Sequence, residues 1–232
     1  MQKNAAIILS AGAGRRMHQV MPKQYLDLCG KPVIAWTIEA FQQSPDIDEI
    51  VLVTGPDQIM KCQEEIVKRY GLTKVSKIVP GGAERGDSVL CGLRALRGDT
   101  SCVLIHDGAR PLVSQAVIAR TAEAAALYRA AAAAVPARDT VKIVDEQDMV
   151  ISTPDRRELR LMQTPQAFSY PLILAAYEKV SADGVTVTDD AMAAEYAGAS
   201  VKIVEGDVRN IKITVPEDLL LAELLIRDRK RP

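Results

Sequence analysis

The sequence predicts an α/β fold built on a mostly parallel sheet with helices on both faces, and three observations carry that expectation. Apolar runs of strand length alternate with stretches of helical periodicity through the first half of the chain. A glycine-broken turn, Ser10-Ala-Gly-Ala-Gly14, follows the first of those runs. A carboxylate, Asp107, stands at the carboxyl end of another, the edge at which open parallel sheets bind ligands.

The first strand is Ala5 to Leu9. Gly12 and Gly14 can take positive φ without a Cβ clash, so successive amides can converge on phosphate oxygens, and Arg15, Arg16 and Lys23 add charge that amides lack. Other glycine loops fit less well. The dinucleotide fingerprint is half met, because Met17 holds the third glycine position and the second strand, Glu49 to Val53, runs into Thr54-Gly55 instead of an acidic residue. Nothing matches a Walker loop. On these residues alone, a tight strand-to-helix turn with solvated basic side chains is the competing reading.

Pro32 opens a helix that places Ile34, Ile38 and Phe41 on one face. A second helix is expected from Pro56 to about Tyr70, with Ile59, Cys62, Ile66 and Tyr70 inward, before a short strand at Lys77 to Val79. The loop Pro80-Gly-Gly-Ala-Glu-Arg-Gly-Asp-Ser88 introduces a helix from about Asp87 to Arg97, capped by Asp87 or Ser88, whose free N–H groups could face a ligand or close a plain loop. Ser101 to His106 reads as a buried strand. Asp107 beyond it can meet a metal-nucleotide or make an Asx turn before Pro111, while alternation turns His106 to the opposite side, as a structural residue.

An alanine-rich helix after Ser114 leads to a strand at Ala130 to Pro136. From 137 to 163 the pattern changes to a hairpin arm: Thr140 to Val144 and Met149 to Ser152 flank Asp145-Glu-Gln-Asp148. Such an arm is marginal alone, so it is expected to pack on a second subunit in a homodimer. Gln163 to Phe168 then leads to a helix at Pro171 to Val180, and Thr188 is the expected cap of the next. A strand at Ser200 to Val204, the segment Asn210 to Thr214 and a helix opened by Pro216-Glu-Asp follow, with no linker dividing the single domain 1–232.

With 29 basic and 30 acidic residues the net charge is -1, which argues against a general nucleic-acid or anionic-membrane surface, so purposeful positive charge is local. No apolar run has membrane length and the N-terminus lacks signal-peptide order, so a cytoplasmic protein is expected. The four cysteines form no C-x-x-C pair and there are only two histidines, which leaves packed, reduced thiols rather than a zinc site.

A glycine loop with Arg16 and Lys23, a strand-end carboxylate, and cations at Arg156 and Lys212 describe a site for a metal-bound triphosphate and a second phosphorylated substrate. That is nucleotidyl transfer. A phosphate monoester has a second pKa of about 6, so the attacking oxygen is ionised at neutral pH and needs no general base. In-line positioning and charge cancellation carry the rate, with magnesium bridging the phosphates.

Taken together, Ser10 to Met17, Pro22-Lys-Gln-Tyr25, Gly81-Gly-Ala-Glu-Arg85 with Asp87-Ser88, His106 to Pro111, Arg138-Asp-Thr140, Gln163-Thr-Pro-Gln166, Thr188-Asp-Asp190, Asn210-Ile-Lys212 and Pro216-Glu-Asp218 resemble the methylerythritol phosphate cytidylyltransferases over almost the whole chain. The resemblance implies a Rossmann-like sheet of nucleotidyltransferase type with a protruding β-hairpin arm, and transfer of CMP from CTP to the sugar-alcohol phosphate, with magnesium or another divalent cation. By position it makes Arg16 and Lys23 the triphosphate clamp. It gives Ser10, Ala11, Gly12, Ala13, Gly14, Gly82, Arg85 and Ser88 to cytosine and ribose, and sets Asp107 and Arg110 beside metal and acceptor. Thr140, Thr164, Lys212 and an Arg156 from the partner's arm would hold methylerythritol phosphate. Two positions depart from the pattern: Leu9-Ser10 replaces a Pro-Ala or Ala-Ala pair, and Arg209 stands where some relatives are acidic. Ribitol phosphate cytidylyltransferase is the nearest alternative; a nicotinamide-dependent oxidoreductase is disfavoured by Met17.

Overall fold

The computed structural model describes residues 3–12 and 22–229. Its centre is a seven-stranded sheet of β1 (Lys3–Ser10), β2 (Glu49–Thr54), β3 (Val75–Pro80), β4 (Thr100–Asp107), β5 (Ala130–Pro136), β6 (Arg160–Ser169) and β7 (Lys202–Glu205), in the order β7-β5-β6-β4-β1-β2-β3. β1 pairs in parallel with both β2 and β4, opposing Ile7 to Val51 and to Ile105. β6 alone runs antiparallel to its neighbours β4 and β5.

β1, β2 and β4 carry continuous apolar runs because both faces of the sheet are covered there. Ala5 and Ile7 of β1 pack with α2 (Arg85–Ala95), α4 (Tyr170–Ala182) and α5 (Asp190–Tyr196), whereas Ala6 and Ile8 pack with α1 (Val33–Gln43), the helical segment 59–68 and α3 (Gln115–Tyr128). A smaller cluster of Leu28, Val33, Leu112, Ile213, Ala222 and Ile226 seats α6 (Pro216–Arg229) beside the segment that carries Lys212. Among the described residues no helix is long and apolar enough to cross a membrane.

Five sequence expectations are corrected. The segment Gln163 to Phe168, read as a lead-in to a helix, belongs to the ten-residue strand β6. Its proline argues against a central strand, but the ladder to β5 breaks between Met162 and Gln166, so no paired N–H is missing at Pro165. The arm is consequently shorter than 137–163, and its paired core is only Ile143–Val144 against Val150–Ser152. The helix expected at 56–70 is instead a 3-10 turn at Pro56–Gln58, a short α turn and a π turn at Cys62–Lys68. That change of pitch buries Cys62, Ile66 and Val67 while Ile59 stays half-exposed.

The helix caps also move. α2 begins at Arg85, with Glu84 as cap and Asp87 as the third residue of a reciprocal capping box, so neither Asp87 nor Ser88 is the cap. α5 is capped by Asp189, whose carboxylate accepts from Met192 N at 2.9 Å, and Thr188 lies one residue too early.

Candidate active site

A cleft of about 330 Å³ opens at the carboxyl ends of β1 and β4. It is lined by Ser10, Ala11 and Gly12 at the end of β1, by Lys23 and Gln24, by Gly82 to Arg85 with Ser88, by Asp107 and Ala109, and by Lys212. Crossovers bring these five stretches to one edge of the sheet, where no strand continues to cover them.

The wall at 82–88 is fixed by its own turn chemistry. A Cβ on Gly82 would lie 2.2 Å from Asp87 Cβ, so only glycine lets the loop fold back on the first turn of α2. The Ser88 hydroxyl locks that fold, accepting from Gly82 N at 3.2 Å and donating to Glu84 O at 3.1 Å.

Lys23 and Gln24 lie in a 3-10 turn, Lys23–Tyr25, pinned on two sides. Gln24 is buried, and its amide donates to Ser10 O at 2.5 Å and to Gly12 O at 3.4 Å; the Tyr25 hydroxyl sits 2.8 Å from Thr54 Oγ1 at the end of β2. Gln24 thereby ties the loop after β1 to the turn that presents Lys23. Gln24→Ala leaves two loop carbonyls without a donor and is expected to raise KM for the nucleotide about tenfold while KM for the acceptor holds. Steady-state kinetics with each substrate varied in turn check this, and an equal rise in both KM values would contradict it.

Asp107 is the electrostatic centre. Lys212 Nζ lies 2.8 Å from Oδ2, Arg110 Nε 3.5 Å from the same oxygen, and Arg85 Nε 4.0 Å from Oδ1. Burial by itself would raise the carboxyl pKa, but Lys212 above all, then Arg85 and Arg110, hold it well below the usual carboxylate range. Arg85 is held in turn by a bidentate pair with Asp190, at 2.8 and 2.7 Å, and Asp190 also accepts from the Tyr177 hydroxyl at 2.6 Å.

Behind the carboxylate, His106 is fully buried against Phe41, on the opposite side of β4 from Asp107. Thr164 Oγ1 lies 3.0 Å from His106 Nδ1 and accepts from Asp107 N at 3.0 Å, while His106 Nε2 is 3.2 Å from Arg110 O. Those contacts assign a neutral ring with the proton on Nε2 and the Thr164 hydroxyl donating to Nδ1. Burial, chiefly, lowers the His106 pKa from 6.5 to about 4.

Between those two pKa values the unfolded chain takes up a proton that the folded one refuses, so stability falls as pH drops through that window, by roughly 3 kcal/mol at most. His106→Gln has no ring to titrate, so it should lose that part of the slope in urea midpoints measured between pH 7 and pH 4; identical slopes would refute the assignment.

Among the described residues no group of three or more His, Cys, Asp or Glu could hold a metal ion. Asp107 is a lone carboxylate, which fits a magnesium ion that keeps most of its shell on substrate phosphates and takes one protein ligand.

This arrangement of cations around a strand-end acid, at the cleft reached by Ser10 to Gly12, suits nucleotidyl transfer. The comparisons with known proteins agree. The family model described as IspD, 2-C-methyl-D-erythritol 4-phosphate cytidylyltransferase, matches residues 4–228. This chain belongs to the IspD family. A relative of that name from Geobacter metallireducens is 48% identical over 227 residues, covering 97% of each chain, and one from Caldanaerobacter subterraneus subsp. tengcongensis is 46% identical over 223 residues, covering 96% of this chain and 98% of its own. Among solved structures, 4-diphosphocytidyl-2C-methyl-D-erythritol synthase from Anaerococcus prevotii is similar with a TM-score of 0.86 and 35% identity, over 97% of this chain and 96% of its own. The cytidylyltransferase from Thermus thermophilus gives 0.77 and 33%, over 95% of this chain and 98% of its own.

The fold brings together most, but not all, of the residues that IspD resemblance singled out. Ser10, Ala11, Gly12, Lys23, Gly82, Arg85, Ser88, Asp107 and Lys212 line the cleft, and Arg110 abuts Asp107. Ala13, Gly14 and Arg16 lie outside the described residues. Thr164 supports the cleft from beneath, its hydroxyl engaged by Asp107 N and His106. Thr140 and Arg156 lie exposed on the arm and do not line this cleft within one chain; Arg156 Nη1 donates to Arg138 O at 2.8 Å.

The two departures are accommodated locally. The Ser10 hydroxyl turns into the sheet and donates to Val53 O at 3.0 Å, and Arg209 pairs with Asp228 of α6 at 3.0 Å. Three supporting residues carry no role in the sequence reading: Gln24, Asp190 and Asn210, whose amide donates to Thr164 O at 2.8 Å and whose carbonyl accepts from Arg110 Nη1 at 2.8 Å. Each sits within two residues of a charged residue in a motif, and that proximity was the available signal.

Proposed function

We propose that this chain transfers the cytidylyl group of CTP to 2-C-methyl-D-erythritol 4-phosphate, giving CDP-methylerythritol and pyrophosphate. The observation that carries this reading is the convergence of Lys23, Lys212, Arg85 and Asp107 in one cleft with the glycine loop after β1. An ionised oxygen of the acceptor phosphate attacks the α-phosphorus, a new P–O bond forms, and the bond to the β-phosphate oxygen breaks as pyrophosphate leaves. No proton needs to move.

Lys23 faces the triphosphate, with Arg16 assigned beside it from the family pattern, and Lys212 meets the phosphate of the acceptor. Glycine-loop amides and the loop at Gly82 to Ser88 enclose cytosine and ribose. Magnesium or another divalent cation on the triphosphate would supply charge cancellation across the phosphates, with Asp107 as its protein ligand. Incubation with CTP, the acceptor and magnesium, followed by mass spectrometry, tests the reading: CDP-methylerythritol is the expected product, and unreacted CTP would refute it.

A homodimer through the arm is part of the same reading. Ile143, Val144, Met149, Val150 and Ile151 are all exposed on a two-stranded ribbon, an apolar surface that a second copy would bury. The partner's arm would bring Arg156 and Thr140 to the acceptor. Sedimentation at micromolar concentration should give twice the chain mass, and a strictly monomeric mass would remove this claim. We assign the enzyme to the cytoplasm, a compartment in keeping with four cysteines that stand as separate thiols.

A further inference from the structure

The cleft holds an anion of its own against the lysine assigned to the acceptor phosphate. Lys212 Nζ is 2.8 Å from Asp107 Oδ2, and among the described residues it makes no other ion pair. The other two cations around Asp107 have fixed seats: Arg85 is clamped by Asp190, and Arg110 donates to the Asn210 carbonyl. Lys212 is the most exposed of the three, with 39% of its side chain accessible against 28% for Arg85 and 12% for Arg110, and so is the one able to swing away.

A bare triphosphate entering here meets the Asp107 carboxylate as a like charge, and Lys212 is occupied. A triphosphate that carries a divalent cation presents Asp107 with a stronger counter-ion than an ammonium group, because the attraction at a given distance doubles with the charge. We propose that Asp107 holds Lys212 until the nucleotide binds, and that a divalent cation arriving on the nucleotide takes its place and frees Lys212 for a substrate phosphate. This rests on the nucleotide reading above and adds to it a reason for metal dependence: Asp107 selects metal-bound over free triphosphate. The cation and Lys212 then compete for one carboxylate, and competition is a measurable coupling between them.

The test is the affinity of CTP by titration calorimetry, with magnesium and with EDTA, in the wild type, Lys212→Met, Lys212→Arg and Asp107→Asn. Lys212→Met keeps the apolar stem and removes the competitor, so the enhancement of CTP affinity by magnesium should grow about tenfold, while Lys212→Arg should restore the wild-type value. Asp107→Asn should shrink the enhancement by about the same factor, through tighter metal-free binding. An equal enhancement in all four proteins would overturn the exchange and leave the nucleotide reading standing. Wild-type protein that binds no CTP under either condition would overturn both.

Discussion

Asp190→Ala is expected to lower stability by about 3 to 5 kcal/mol, the usual cost of leaving one member of a buried ion pair without its partner. Asp190 is fully buried and takes two hydrogen bonds from Arg85 and one from Tyr177, all within 2.8 Å. Its loss leaves the Arg85 guanidinium and the Tyr177 hydroxyl without the carboxylate they share. The lower end of that range is the better expectation, because Arg85 is 28% exposed and can reach water. For a chain of 232 residues this corresponds to a fall in Tm of roughly 10 °C, and urea denaturation gives the free energy itself. The released Arg85 also gains freedom to move toward Asp107, so nucleotide affinity should fall in the fraction that remains folded. A stability within 1 kcal/mol of wild type would mean that the pair is structurally idle.

Lys23→Ala should reduce kcat by at least a factor of about 10², with a smaller change in KM. Lys23 lines the cleft on a turn that Gln24 and Tyr25 hold against the ends of β1 and β2, so its backbone is fixed at the cleft wall before substrate arrives. Charge builds on the departing pyrophosphate as the reaction proceeds, and a preplaced cation there stabilises the transition state more than the ground state. Lys23→Arg keeps the charge but changes reach and donor geometry, so it should recover only part of the loss. Unchanged turnover in Lys23→Ala would remove the residue from the mechanism.

The parallel half of the fold was legible because buried strands leave apolar runs. β1, β2 and β4 begin and end within one or two residues of their expected limits. β6 was not legible, since polar Gln163, Thr164 and Gln166 and a proline hide a central strand whose polar side chains are satisfied by partners distant in sequence, such as Asp189, Ala191 N and Asp207. Lys23, Asp107 and Lys212 were readable as charges at strand ends or in motifs, and the fold puts them in one cleft. Gln24 and Asp190 were not, because a side chain that acts by holding another one looks ordinary until its partner is known. Thr140 and Arg156 mark a different limit: a residue on a projecting arm finds its target only across a subunit boundary.

Attack of a phosphate monoester on CTP in this cleft releases pyrophosphate only when the acceptor is present, so acceptor-dependent pyrophosphate release reads that step itself. With CTP and magnesium, pyrophosphate should appear rapidly with 2-C-methyl-D-erythritol 4-phosphate, far more slowly with ribitol 5-phosphate, and slowly when UTP replaces CTP. Release that is faster with ribitol 5-phosphate, or that does not depend on any acceptor, would contradict the account.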